Sequence, residues 1–142
     1  VGLSLQEVKA GLLEAIKALK IAGDVRPWPL NKIKDEVFLD SVSDLGAQAI
    51  LLVQKNFADR LGKRVVYFSA ILCFSDPKGE GDAQLDPAVE RFVKELIGAD
   101  LLRDALWILP EVDCANVGVD PQRAVAEISF KASYELDKDV TP

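Results

Sequence analysis

Histidine is absent from this chain of 142 residues, and cysteine occurs only twice. The first absence removes the commonest general base, the Ser–His and Cys–His nucleophile pairs, and most zinc sites. The second leaves too few thiolates for a cysteine-rich metal cluster. Long apolar runs are missing too. Runs such as residues 49–53 and 65–68 are strand-sized, and none approaches the roughly 18 residues of a transmembrane helix. Basic clusters are equally scarce. Lys and Arg number 17 against 23 Asp and Glu, a net charge of -6, and the densest basic stretch is Arg60 with Lys63-Arg64. Neutralising phosphates requires clustered cations, so the sequence disfavours nucleic-acid binding over a broad surface, and the net charge serves solubility. Gly79-Glu80-Gly81 lacks the later Gly and the Lys-Ser/Thr of a phosphate loop. Val1-Gly2-Leu3-Ser4 has neither the basic nor the long apolar region of a signal peptide, which predicts a cytosolic product with unpaired thiols. Cys73 and Cys114 are accordingly expected to pack as small hydrophobes.

Carboxylates can act without histidine, so they need separate inspection. The densest groups are Asp35-Glu36 with Asp40, and Asp76 with Glu80 and Asp82. Pro77-Lys78 breaks the alternation of oxygen ligands that a calcium loop needs, and Leu85 stands where a closing acid would help. Glu127 is followed two positions on by Ser129, where a metal nuclease would carry Lys. The sequence predicts no enzymatic activity, no cofactor and no metal.

What is present is pattern. Ser4-Leu5-Gln6-Glu7 has the form of a capping box, and Val8, Leu12, Ala15, Ile16 and Leu19 follow at helical spacing, predicting a helix over 5–22 closed by Gly23. The prolines around Trp28 demand an extended step. A short helix and loop are expected over 31–45, a strand over 47–56, a hairpin loop over 57–63, and a strand over 64–75 with two apolar faces. A Gly- and acid-rich loop precedes a helix opened by Asp86-Pro87 and ended by Gly98. Residues 99–109 are open between short helix and strand, with Pro110 as terminator. From Ala126 to Leu136, apolar and polar residues alternate, as in a strand with one face in a core. Together these elements predict a single α+β domain over 1–142, a mostly antiparallel sheet packed with helices. Trp28, between prolines, suits an interface or a staple from the first helix to the sheet, whereas Trp107 among Leu106, Ile108 and Leu109 is expected in the core.

In order and length, this amphipathic helix, the Trp28-Pro29 step, the apolar strand at 49–53, the second long strand, the acidic loop, the helix from Asp86 and the alternating last strand resemble the small tail-terminator and tail-completion proteins of long-tailed bacteriophages, including those of Mu-like prophages. Related proteins often carry Tyr-Pro-Gly at the step, where this chain has Trp28-Pro29-Leu30. The resemblance implies a non-enzymatic virion protein, assembled in the host cytoplasm and resident in the tail. It would form a ring, as a hexamer, cap the tail-tube protein and meet the head–tail connector, with no specific nucleic-acid or membrane partner. Trp28, Arg60, Lys63, Arg64, Lys78 and Glu80 are the expected interface residues, the charged ones pairing between neighbours and setting register. A neck or head-completion protein and a cellular protein-binding adaptor are the alternative readings.

The charge pattern generates a direct expectation. Duplex DNA should bind more weakly than about 10 μM at physiological salt. A nanomolar gel shift would contradict it.

Overall fold

The computed structural model describes residues 2–28, 48–75, 81–116 and 123–136. The helix expected over 31–45 and the loop at 76–80 lie outside these residues, as do Lys78 and Glu80. Helix α1 (Leu5–Ala18) opens on the expected capping box. The Ser4 hydroxyl accepts from the Glu7 backbone N–H at 3.2 Å, and the Ser4 N–H donates to Glu7 Oε1 at 3.2 Å. Val8, Leu12 and Ile16 are its fully buried stripe. The helix stops earlier than expected, because Lys20 rather than Gly23 takes the left-handed backbone (φ 55°). Gly11, a poor helix former, has its own reason to be there: a Cβ would lie 2.8 Å from Leu102 Cδ2. An alanine there would have to push the Leu102 side chain aside.

Strands β1 (Asp24–Pro27), β2 (Gln48–Arg60), β3 (Lys63–Ser75), β4 (Asp100–Leu101), β5 (Leu106–Asn116) and β6 (Arg123–Glu135), with helix α2 (Gly81–Leu96) between β3 and β4, complete the described elements. They form one sheet in the order β1-β2-β3-β6-β5-β4, parallel only between β1 and β2. The sheet is curled into a half-barrel and outweighs the two helices, so the fold is predominantly β, not the expected α+β packed with helices. The reason is strand length. β2 runs on through the largely exposed and largely polar residues 54–60, and β5 runs through Pro110 instead of ending there. Both are made possible by bulges. Lys55 is the extra residue in β2 between Gln54 and Asn56, and three residues of β5 (109–111) span the single Lys131 of β6. Proline cannot donate to a ladder, and a bulge is where a strand tolerates it.

The pleat sorts side chains onto two faces. On one face Ile50, Leu52, Phe68, Leu72, Ile128, Phe130, Leu106 and Ile108 meet α1 and the α2 residues Leu85, Ala88, Phe92 and Leu96. Phe130 is the hub, with Phe68 stacked at 5.8 Å and Phe92 tilted on it at 6.0 Å between ring centroids. α2 begins before the expected Asp86 cap and carries Pro87 inside it, so Leu85 joins the buried stripe. Gly98 closes its end with φ 81°. On the opposite face a smaller cluster gathers Trp28, Ala49, Leu51, Val53, Cys73 and Val125.

Phe92 is fully buried at the point where helix meets hub, so Phe92→Ala should cost about 3–5 kcal/mol in chemical denaturation. A loss below about 1 kcal/mol would contradict this packing.

Candidate interaction surface

The β2–β3 connection is not the seven-residue loop the sequence suggested. It is a two-residue turn, Leu61-Gly62, with φ of 54° and 79°. Two positive φ values fit a type I′ turn, whose twist matches the flanking strands. Arg60 and Lys63 therefore face each other as a cross-strand pair, and Asp59 pairs with Arg64 one step inward. Because β6 ends beside the same turn, the Leu136 N–H donates to the Gly62 carbonyl at 3.0 Å.

This end of the sheet collects the exposed apolar side chains. Among the described residues, the large hydrophobics left open are Phe57, Leu61, Leu102 and Trp107. Leu61, at the turn, is 97% exposed, and Trp107, expected in the core, is 45% exposed. The pleat explains Trp107. Leu106 and Ile108 point to the helix-covered face, which sends the residue between them to the other. Backbone strain collects here as well. Leu102, Arg103 and Asp104 have φ of 52°, 57° and 66°, three consecutive left-handed residues without a glycine. Such residues ordinarily occur singly, since each costs roughly 1–2 kcal/mol. A cleft of ≈ 460 Å³ lies between this turn and the hairpin, lined by Lys63, Arg103, Asp104, Trp107, Ser133 and Glu135 among others.

The expected interface residues separate in space. Arg60 and Lys63 are exposed beside Leu61. Arg64 instead turns to its own chain, gripping Asp59 through Nε–Oδ1 at 2.6 Å and Nη2–Oδ2 at 2.9 Å and lying 4.1 Å over the Phe57 ring. That hydrogen-bonded pairing lowers the Asp59 pKa and strengthens the hold of Arg64 on its proton. Trp28 is 6% exposed, its backbone N–H donating to the Leu52 carbonyl at 2.9 Å, far along the sheet from the hairpin. Cys73 is buried, with the Arg123 guanidinium 3.9 Å from its sulfur, but Cys114, expected in a core, is exposed on β5. Partial burial, then the Asp113 carboxylate, push the Cys114 pKa up.

A second cleft, of ≈ 610 Å³, opens beside the β5 bulge on the face away from the helices. Ser69, wholly buried, shares a hydrogen bond with Ser129 at 3.1 Å in its floor. Lys55, the bulged residue, reaches across β3 to Glu127 at 3.4 Å. Lys131 lies 5.4 Å over the Tyr67 ring and is held by Glu111 at 3.2 Å, which raises its pKa. Asp113 completes the rim, with no ion-pair partner among the described residues. Nor do the described residues include any group of three Cys, Asp or Glu side chains arranged to hold a metal. The acids Asp35, Glu36, Asp40 and Asp76 lie outside the described residues.

No protein-family profile matches the chain, and no curated protein matches it significantly. Among solved structures it is similar to a chain of the virion of a native gene transfer agent particle, 18% identical, covering 90% of this chain and 97% of that one, with a TM-score of 0.48. It is also similar to a protein described only by a sequence identifier, 11% identical, covering 96% and 99%, with a TM-score of 0.58. That second likeness is one of fold, over nearly the whole of both chains.

The hairpin end also sets an alkaline limit on stability. Burial pushes the Tyr134 phenol above its ordinary value of 10.0, against the pull of Arg64. The unfolded chain then ionises first, so the contribution is complete below pH 10 and is lost as pH rises through the folded value. Lys131, also raised, acts in the same sense. Thermal melts should fall above pH 10, and Tyr134→Phe should make that fall shallower. Parallel curves for the two proteins would refute it.

Proposed function

We propose that the chain is a non-enzymatic structural protein of a phage-type virion, and within that class a tail terminator or completion protein. It would form a ring, cap the tail tube and present a surface to the head connector. The observation that carries the reading is the incomplete cover of both sheet edges. β1 pairs with residues 49–52 of the 13-residue β2, and β4 with residues 106–107 of the 11-residue β5. Among the described residues, the rest of each edge has no strand beside it. Isolated proteins blunt or cover long edges, because open ones recruit other chains. A protein that works by repeated contact with copies of itself has a use for them, and for the exposed Leu61 and Trp107 close by.

The element order along the chain supports the same reading. The gene transfer agent chain is named from a virion, but at its TM-score it adds no weight. Ring formation requires surface complementarity and no chemistry, which suits a chain without histidine.

Light scattering with and without purified tail-tube protein tests the proposal. The expected result is a particle of about six chain masses, alone or on the tube end, together with tubes of fixed length. A chain that stays monomeric in both conditions, and leaves tube growth unchanged, would overturn it in favour of an adaptor.

A further inference from the structure

Three choices at the β2–β3 turn are locally unfavourable. Leu61 is 97% exposed, and it takes a left-handed φ at a position where type I′ turns use Asn, Asp or Gly. Arg60 and Lys63 stand directly opposite each other, a like-charge pair that weakens a hairpin. Neither cation has an ion-pair partner within 4.0 Å among the described residues. Sequences that break local rules together at one place do so where a function repays the cost.

The cleft at the β5 bulge has the complementary chemistry. Tyr67 and Pro110 supply apolar surface, and Glu111 and Asp113 line its rim. Counting Glu127 beneath, three carboxylates face two lysines, Lys55 and Lys131. Each lysine already has its own acid, so the surplus charge is that of Asp113. The volume, ≈ 610 Å³, lies within the range of sites that enclose a ligand group. A hairpin cannot reach the cleft of its own chain. Tyr67 lies four residues from the turn along β3, about 14 Å back, and Pro110 is two strands further across.

We infer that the Leu61 turn of one copy docks into the Tyr67–Pro110 cleft of the next, with Arg60 and Lys63 meeting Asp113 and Glu111. The occupant is a second copy of this chain, because the cleft's surplus acid, Asp113, answers one of the two cations, Glu111 is shared between Lys131 and the other, and the apolar walls answer Leu61. The contact joins two different patches, so it repeats head to tail and closes a ring when the rotation permits. This inference deepens the ring reading and rests on it.

Complementation of two variants of the full chain tests it. Arg60→Ser/Leu61→Asn/Lys63→Ser spoils the hairpin and keeps the cleft, and Asp113→Lys spoils the cleft and keeps the hairpin. Each alone should associate about tenfold or more weakly than the wild type in analytical ultracentrifugation. Mixed in equal amounts, they retain one good contact and should stop at a heterodimer. Melting temperatures no lower than that of the wild type would show that both variants fold, and the hairpin variant should melt higher. Leu61→Cys/Cys114→Ser mixed with Pro110→Cys/Cys114→Ser should give a disulfide-linked dimer under mild oxidation. If the wild type assembles but the variants assemble equally well, or the mixture yields no dimer and no cross-link, this contact is wrong while the ring reading stands. A wild type that stays monomeric to roughly 200 μM, a bound far weaker than a working self-contact needs, overturns the inference as well. If it then also ignores tail-tube protein, the ring reading fails separately.

Discussion

β3 and β6 pair in unbroken register over thirteen residues, from Lys63 opposite Glu135 to Ser75 opposite Arg123, and the rest of the structure hangs on that pairing. It puts Val66, Phe68, Ala70, Leu72 and Phe74 beside Ala124, Ala126, Ile128, Phe130, Ala132 and Tyr134 on one face, which is the platform for both helices. A slip of one residue would carry this whole apolar set to the other face and leave α1 and α2 with nothing to cover. The same register brings the end of β6 alongside the β2–β3 turn, where Leu136 and Gly62 are hydrogen bonded. The outer strands need no such regularity, and they carry the bulges at Lys55 and Pro110.

How much was legible in the sequence follows from that division. β6 is readable because its alternation is strict and one face is buried along its length. α1 is readable because its cap, stripe and first turn agree. β2 misleads beyond Val53, since nothing in Gln54-Lys55-Asn56 alternates; its path is dictated by pairing with β3, which local sequence does not encode. Pro110 reads as a stop because a proline in a regular ladder would be one, and a bulge is visible only once Ile108 and Val112 have found Ala132 and Phe130. These two extensions turn an expected balance of helix and sheet into a predominantly β fold.

The candidate surface was legible in part. Arg60 and Lys63 stand out as a basic pair near Gly62, but the cross-strand opposition that makes them informative depends on the length of the turn. Trp107 could not be placed from sequence, because an apolar triplet gives no sign of which member the pleat will expose. The left-handed run from Leu102 to Asp104 has no glycine to announce it, and Gly11, which makes room for Leu102, lies about ninety residues earlier. The bulge cleft draws on β2, β3, β5 and β6, so it is a property of topology.

The account's central claim is that a rigid β3–β6 platform carries a hairpin tip shaped for the cleft of another copy. Hydrogen exchange read by mass spectrometry at low and high protein concentration tests this most directly. The account predicts that amides in β3 and β6 are the slowest at both concentrations, and that concentration adds protection at the 58–63 turn and the 109–113 bulge together. New protection confined to the helices, or to only one of those two segments, would contradict it.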